Sequence, residues 1–506
     1  MYENGKIYMG LAGDKRVELA LNMCNRHGLI AGASGTGKTV TMKVMAESFS
    51  DAGVPVFLCD VKGDVAGICA PGQSSEGMEK RIDKFGLRDR FVYQGYPTTF
   101  WDVYQEGGHA VRATVSDMGP ELLSRILGLT AVQEGILHIV FQIADDKGLL
   151  LIDLKDLRAM LTYVSEHRAE YMMTYGNITP QSVAAILRAL LPLEQQGGEL
   201  FFGEPALDIR DWMRTAADGR GMINVLDCVK LVQNPTLYAS FLLWMLSELF
   251  EILPEAGDLD KPRMVFFFDE AHMLFRDAPA VLLQKVEQTV KLIRSRGVGV
   301  YFVTQSPSDI PDTVLAQLSS RVQHALRAYT PAELKAVRAA ARAFRPNPAF
   351  QAEDAIMELG VGEALTSFLD EAGVPAMVER TKIICPQSLM SVPEPMVRAK
   401  VMMHDGMEKY DEFVDNVSAY EVLTAEREEA ETAKQEEADR KAREKEEAQA
   451  EKLRLKEEEA ERKRKQKLED EARRKAERRA AKIESQLISA GGQVLKRGLL
   501  GVLKRW

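Results

Sequence analysis

The chain has 506 residues, of which 46% are hydrophobic and 28% are charged, and its formal net charge is −10. A chain of this length and apolar content can bury at least one large core, which excludes a fully disordered protein. Its five cysteines show no paired spacing and the N-terminus has no basic-then-apolar signal pattern, which argues against a secreted disulfide scaffold and predicts a cytoplasmic protein.

The first motif in the chain is a glycine-rich loop at residues 32–39, which reads G-x-x-x-x-G-K-T. It follows an apolar run and opens a helical pattern, as a nucleoside triphosphate site requires. Glycines let backbone N–H groups converge on phosphate oxygens, Lys38 can reach the β and γ phosphates, and Thr39 would hold Mg²⁺. The alternative, a chance glycine turn, explains neither the spacing nor the context. The predicted nucleotide contacts are Gly32, Ala33, Ser34, Gly35, Thr36, Gly37, Lys38, Thr39 and Val40.

The next apolar run, residues 54–59, ends at Asp60. This carboxylate would lie beside the phosphate loop if its strand neighbours the first one, because ligands of open α/β sheets sit at the carboxyl ends of the strands. We therefore include Asp60 among the candidate catalytic residues. Lys62, in the loop that follows, is a candidate pore-loop residue, and another strand is predicted at residues 90–94.

Helical periodicity replaces these strands in the middle of the chain. From Gly119 to about Trp212 the apolar positions follow helical spacing with no convincing long strand, which predicts an all-α insertion over residues 105–217. Residues 1–104 and 218–390 then form one α/β core around the phosphate loop, and residues 391–425 form a connecting segment.

The apolar run at residues 264–268 ends in two carboxylates, Asp269 and Glu270. Such a run is typical of a strand that is buried on both faces of a parallel sheet. At its end Asp269 could bind the magnesium shell, and Glu270 could polarise the attacking water. The alternative is a buried strand followed by an acidic helix start.

A further apolar run, residues 298–304, ends at Gln305, whose amide could sense the γ-phosphate or orient water. Another strand is predicted at 321–326. Residues 363–369 and 376–380 predict a closing hairpin.

The composition changes abruptly beyond residue 425. Residues 426–484 hold 20 acidic and 20 basic side chains and no glycine or proline, which favours a solvated helix braced by i,i+4 ion pairs, with disorder as the alternative. The leucines of this segment do not sustain a coiled-coil seam. Residues 485–506 form a basic amphipathic tail that could dock on protein, self-associate or lie on a membrane.

The ordered set of strand-end signatures, from the phosphate loop through Asp60 and Asp269 to Gln305, resembles the HerA/FtsK superfamily of ring-forming motor ATPases. It resembles most closely the HerA-helicase-like bacterial proteins. The resemblance implies a RecA-like P-loop NTPase core with a mostly parallel sheet, ATP and Mg²⁺ as ligands, and a homo-hexamer with nucleotide sites between subunits. It also implies an arginine supplied by the neighbouring subunit. Arg294 matches that arginine by position, Arg296 is the reserve, and a solvated basic helix end is the alternative for both.

Two departures from this superfamily concern the partner and not the ATPase chemistry. HerA proteins typically carry a small β-barrel before the motor, and we expect none here because the phosphate loop begins about thirty residues in. Neither the membrane spans nor the winged helix of FtsK-type motors is evident. Residues 1–425 carry a net charge of −14, so DNA contacts would have to be confined to a pore.

These observations leave two functional hypotheses. The first is an ATP-hydrolysing hexameric motor that translocates or unwinds DNA. The second is a nucleotide-switched assembly protein whose C-terminal tail tethers a protein partner or a membrane surface.

Overall fold

The computed structural model describes residues 1–257, 259–275 and 280–500. Its contacts divide the chain into a compact unit, Met1–Leu423, and a second unit, Thr424–Trp506.

The strands of the described residues form one sheet in the compact unit. They are β1 (Tyr2–Glu3), β2 (Lys6–Ala12), β3 (Lys15–Ala20), β4 (Gly28–Ala31), β5 (Val56–Asp60), β6 (Thr98–Asp102), β7 (His109–Ala110), β8 (Ile223–Asp227), β9 (Met264–Phe268), β10 (Val298–Thr304), β11 (Ser320–His324), β12 (Glu363–Ser367) and β13 (Glu379–Ile383). Their order across the sheet is β1-β2-β13-β12-β11-β4-β10-β9-β5-β8-β6-β7, and β3 pairs with β2.

The sheet is parallel where the sequence predicts nucleotide binding. Every neighbouring pair from β11 to β7 is parallel, whereas β12, β13 and the N-terminal strands pair antiparallel. All residues of β4, β5, β9 and β10 are buried, because apolar side chains cover both faces of these strands. The predicted α/β class with a mostly parallel sheet is confirmed.

Helices cover both faces of the sheet and continue beyond it. They are α1 (Lys38–Asp51), α2 (Glu76–Lys84), α3 (Val115–Ile126), α4 (Ala131–Lys147), α5 (Leu154–Glu166), α6 (Arg168–Tyr175), α7 (Pro180–Leu193), α8 (Glu199–Phe201), α9 (Pro235–Ile252), α10 (His272–Phe275), α11 (Ala280–Leu292), α12 (Asp312–Leu315), α13 (Pro331–Arg342), α14 (Ala352–Glu358), α15 (Pro395–Met402) and α16 (Ala419–Leu500). In the described part of the chain, none of them combines the length and apolar character that a bilayer crossing needs.

The helices α3 to α8 lie between β7 and β8, where the all-α insertion is predicted. Their apolar faces share one hydrophobic core with α9 and with one face of the sheet, through residues such as Leu157, Ile186 and Phe241. The insertion therefore packs within the compact unit, and the domain boundaries given above stay a prediction.

The strand predicted at residues 90–94 is wrong. These residues form no strand, and the nearest one is β6. The alternating apolar pattern has a different cause: Phe91 and Tyr93 pack together in a small cluster while Val92 is exposed. The backbone N–H of Gln94 donates to the carbonyl of Gln387, a loop residue, and not to a neighbouring strand.

The charged segment after residue 425 is helical. It lies within α16, which has 82 residues. At the start of this helix the N–H of Ala419 donates to the carbonyl of Leu150, and that of Tyr420 donates to Asp156. Farther along, the ion pairs join residues four positions apart, such as Arg454 with Glu458. The predicted long charged helix is confirmed.

Candidate nucleotide-binding site

The phosphate loop joins β4 to α1, as its spacing predicts. Gly37 precedes the first turn of α1 with a φ of 111°, a conformation that favours glycine. Gly32 has a φ of 155°, and a Cβ atom there would lie 2.5 Å from the Cβ of His324. The loop can therefore keep its path only with glycine at position 32.

Lys38 already folds back over this loop. Its Nζ donates to the carbonyl oxygens of Gly32 at 2.6 Å and Ala33 at 3.1 Å. The hydroxyl of Thr36 also donates to the carbonyl of Ala33, at 2.7 Å. Burial, with the nearby charge of Lys62, lowers the pKa of Lys38. The ammonium is thus held where phosphate oxygens would be bound.

Two strand ends face this loop. The strand β10 lies between β4 and β9. Gln305 follows β10, and Asp269 and Glu270 follow β9, with Thr304 paired to Ala31 across the strands. Because these strands are parallel, their carboxyl ends meet at one edge of the sheet. The structure therefore brings together the phosphate loop, Gln305 and both carboxylates, as the sequence predicts.

Asp269 has the properties of a magnesium ligand. It is buried, and burial raises its pKa to about 7. Among the described residues its Oδ2 has no hydrogen-bond partner. The hydroxyl of Thr39 donates to Asp64 at 3.4 Å, and the charge of Asp64 also raises the pKa of Asp269. A buried, unpartnered carboxylate oxygen with hydroxyl and carboxylate oxygens nearby fits a hard divalent cation.

Glu270 is held by residues from three segments. Its carboxylate forms an ion pair with Lys62 and accepts a hydrogen bond from the amide of Gln305 at 3.3 Å. The ring of His272 lies 3.1 Å from the same carboxylate. Burial favours the neutral acid, but Lys62 holds the pKa of Glu270 below its ordinary value. The side chain is therefore an ionised base with a fixed orientation.

Asp60 does not lie where the sequence places it. Its strand β5 pairs with β9, and both β9 and β10 separate it from β4. The expected adjacency to the phosphate loop is therefore wrong. Its carboxylate accepts hydrogen bonds from the N–H groups of Gly63 at 2.7 Å and Val65 at 3.1 Å, and burial raises its pKa to about 6. Asp60 thus shapes the loop that carries Lys62, and a catalytic role for it stays a prediction.

Arg294 lies at the amino-terminal end of β10, at the opposite end of this strand from Gln305. It belongs to a short turn, Ile293–Arg296, that precedes β10, and it is exposed. Within the described residues its guanidinium forms no ion pair, whereas the guanidinium of Arg296 stacks on the ring of Phe250 at 5.0 Å. The structure does not bring Arg294 to the phosphate loop of its own chain.

One residue that supports the loop was missed from the sequence. His324 ends β11, and its ring nitrogens lie 2.9 Å from the hydroxyl of Thr41 and 2.9 Å from the carbonyl of Glu363. Burial lowers its pKa to about 4, so the ring is neutral. The signal used for Gln305 was weak here, because His324 ends a strand, Ser320–His324, in which Val322 is the one apolar residue. Lys62 was considered only for a pore, although the structure places its ammonium on Glu270.

The strand order and the contents of this edge define a class of protein, the P-loop nucleoside triphosphatases with a RecA-like core. The family can also be stated. The profile of the Helicase HerA-like C-terminal family matches residues 8–506, and the chain belongs to this family. The resemblance inferred from the strand-end signatures is confirmed.

Solved structures of low sequence identity share the fold. The bacterial conjugative coupling protein TrwB, in its unbound monoclinic form, is 14% identical, with a TM-score of 0.51 over 78% of this chain and 92% of that chain. TrwB in complex with the non-hydrolysable GTP analogue GDPNP is 13% identical, with a TM-score of 0.52 over 77% and 93%. TrwB with ADP and Mg²⁺ is 14% identical, with a TM-score of 0.50 over 78% and 92%. A comparison with curated proteins found no match.

Proposed function

We propose that this protein is a magnesium-dependent ATPase that works as a ring-forming motor. The observation that carries the proposal is the ionised Glu270, held by Gln305 at the same sheet edge as a complete phosphate loop. The family supports ATP as the nucleotide, and no guanine-selective Asn-Lys-x-Asp motif is evident in the sequence. The TrwB complexes show that this fold can hold ADP with Mg²⁺ and also a guanine nucleotide analogue.

Each residue then has a distinct task in hydrolysis. Lys38 exchanges the two loop carbonyls for oxygens of the β and γ phosphates. Glu270 accepts the proton of the attacking water, and Gln305 orients that water or senses the γ-phosphate. Thr39 and Asp269 would hold Mg²⁺, which neutralises developing phosphate charge when bound.

This division of tasks predicts two different defects. Lys38→Ala should abolish tight nucleotide binding, because it removes the cation that meets the phosphates. Glu270→Gln should keep binding but lose turnover by about 10² or more, because an amide keeps the shape of the side chain and cannot accept the proton. Nucleotide affinity and phosphate release, measured on both variants, separate the two effects.

A suitable control is Glu353→Gln, which neutralises a glutamate on α14 whose ion-pair partner is Arg338. It should change neither quantity. Normal turnover in Glu270→Gln would contradict the assignment of the catalytic base.

The position of Arg294 supports a ring with shared sites. Arg294 precedes the seven residues of β10 and Gln305 follows them. At about 3.3 Å per residue these two side chains start roughly 20 Å or more apart, beyond the reach of an arginine. If Arg294 acts on a nucleotide, it acts on one bound by a neighbouring subunit. We propose a homo-hexamer, the assembly that the superfamily resemblance implies.

The shared site predicts a rescue between two inactive variants. Arg294→Ala should bind ATP yet hydrolyse it about 10³-fold more slowly or worse, since a removed arginine finger has that cost. Mixing it with Lys38→Ala subunits should restore activity, because some interfaces then pair an intact phosphate loop with an intact arginine. Arg296→Ala tests the reserve candidate and should retain turnover, because its guanidinium stacks on the ring of Phe250.

Subunit exchange is shown first, with differently tagged subunits that co-purify after mixing. If mixed rings form and no activity returns, Arg294 is only a cation at the end of a helix.

DNA as the substrate of the motor is a proposal that rests on the family. The charge of residues 1–425, −14, restricts DNA contact to a limited basic surface such as a pore. The long charged helix favours a second candidate, a nucleotide-switched assembly whose C-terminal tail tethers a protein partner or a membrane surface. We place either form in the cytoplasm, in keeping with five free cysteines.

A further inference from the structure

The loop at residues 61–65 closes over the nucleotide edge of the sheet. Asp60 holds its backbone through the N–H groups of Gly63 and Val65. Two side chains of the loop then meet the catalytic residues: Lys62 forms an ion pair with Glu270, and Asp64 accepts a hydrogen bond from Thr39. The loop thus contacts both sides of the space that a γ-phosphate and its cation would fill.

Both lysines at this edge are bound to acceptors of the protein itself. Lys38 donates to two carbonyls of the phosphate loop, and Lys62 is paired with Glu270. The two ammonium groups lie close enough for the charge of Lys62 to affect Lys38. Each lysine therefore faces the same space and has a replaceable partner in it.

The partner of Lys62 is the residue that hydrolysis requires. A glutamate that is paired with an ammonium is a poorer proton acceptor, because the cation stabilises its charged form. An incoming γ-phosphate carries more negative charge than one carboxylate and attracts the same ammonium. The side chain of Lys62 is 40% exposed, whereas that of Glu270 is 4% exposed, so the lysine is the member of the pair that is free to move.

We propose that Lys62 is a γ-phosphate sensor that exchanges partners. Without a triphosphate it pairs with Glu270 and restrains the base; with a triphosphate bound it contacts the γ-phosphate and releases Glu270. The inference rests on the proposed ATPase function and deepens it. It also assigns the loop at 61–65 as the part of the chain that moves with the state of the nucleotide.

The exchange predicts a selective loss of affinity. Lys62→Gln should weaken binding of Mg²⁺–ATPγS about tenfold or more and change Mg²⁺–ADP binding by no more than about twofold, because the variant loses a hydrogen bond to a charged group and ADP lacks the phosphate that would accept it. The measurement is equilibrium titration of the full-length protein with both nucleotides. Lys62→Arg keeps the charge and should recover part of the preference.

A matched control is a lysine that follows the neighbouring strand, β8. Lys230 follows β8 and pairs with Glu106 at 2.5 Å, so Lys230→Gln removes another lysine–glutamate pair at this edge of the sheet. It should leave both affinities unchanged. Thermal unfolding of each variant checks that the fold is retained.

Glu270→Gln provides the second arm of the test. It removes the competing partner of Lys62, so it should tighten ATPγS binding in the wild-type background. In the Lys62→Gln background the same change should tighten binding less, because no exchange remains; a double-mutant cycle measures this coupling.

The possible outcomes separate this inference from the proposed function. The sensor role of Lys62 is contradicted if Lys62→Gln lowers the affinities for ATPγS and ADP equally. It is also contradicted if Glu270→Gln changes ATPγS affinity by the same factor with and without Lys62→Gln. Either result leaves the proposed ATPase function intact. If the wild-type protein binds neither nucleotide, the proposed ATPase fails, and the sensor fails with it.

Discussion

The compact unit and the C-terminal helix use charged side chains in opposite ways. In the compact unit, many ionic contacts join segments that are far apart in the chain, as His109 does with Asp405 and Asp411, beside local pairs such as Arg125 with Glu121. In the helix, the pairs link residues one turn apart, as Lys463 does with Glu459, and their side chains are exposed. The first kind of contact exists only after folding, whereas the second needs nothing beyond the helix itself. Charge therefore contributes to tertiary structure in the compact unit, whereas the ion pairs of the helix support local structure.

Among the charged contacts compared here, substitution of His109 should have the largest effect on the free energy of unfolding. Burial favours its neutral form, but the carboxylates of Asp405 and Asp411 raise its pKa above the ordinary value. A raised pKa in the folded state stabilises the protein fully below the unfolded value, about 6.5, and that stabilisation is lost as the pH rises through the folded value. His109→Gln should lower the free energy of unfolding by about 2 kcal/mol at pH 6, and by progressively less toward pH 9.

Urea unfolding at a series of pH values measures this dependence. The control is His138→Gln, which alters an exposed histidine on α4 and should change the free energy of unfolding only slightly. A His109→Gln effect that is the same at every pH would mean that the ring acts through packing and not through its charge.

The smallest effect is expected from removing the helix. A chain that ends at Ala425 loses a helix whose residues 426–489 are exposed and whose ion pairs lie within the helix, so its unfolding midpoint and its ATP hydrolysis rate should match those of the full-length protein. If the tail is a tether, the shortened chain should also lose binding to its partner or to anionic liposomes. The measurements are ring mass, phosphate release with and without DNA, and liposome sedimentation.

Collapse of the ring on truncation would contradict the view that the charged pairs of the helix serve only local structure. The helix would then take part in assembly, and its charged side chains would make contacts between subunits. The tether hypothesis in its present form would have to be dropped.

The sequence predicted those parts of the site that depend on one segment at a time. The phosphate loop could be predicted from the spacing of its glycines and lysine. The carboxylates after β9 and the amide after β10 could be predicted because each follows an apolar run. The parallel sheet then aligns these ends without further information. Lateral order is different, because it depends on which strands pair. The predicted position of Asp60 was wrong for that reason, because residues 54–60 do not indicate that their strand will pair with β9.

Contacts between side chains that are far apart in the chain also could not be predicted from the sequence. The pairing of Lys62 with Glu270 joins positions more than two hundred residues apart, and the contact of His324 with Thr41 joins positions 283 apart. Neither residue type is unusual for a loop or a strand end. The strand expected at residues 90–94 failed in a related way, because its alternation serves a local aromatic cluster and not a sheet.

The resting place of Lys38 has a consequence for the rate of nucleotide capture. Because its ammonium bridges the carbonyls of Gly32 and Ala33, contacts within the chain itself hold the loop in its curved form. On the proposed function, Lys38 would change rotamer to meet the phosphates, which takes picoseconds to nanoseconds, and the phosphate loop itself would not have to refold. If the protein works as the proposed ring, a neighbouring subunit that covers or uncovers this edge of the sheet would control when each site fills.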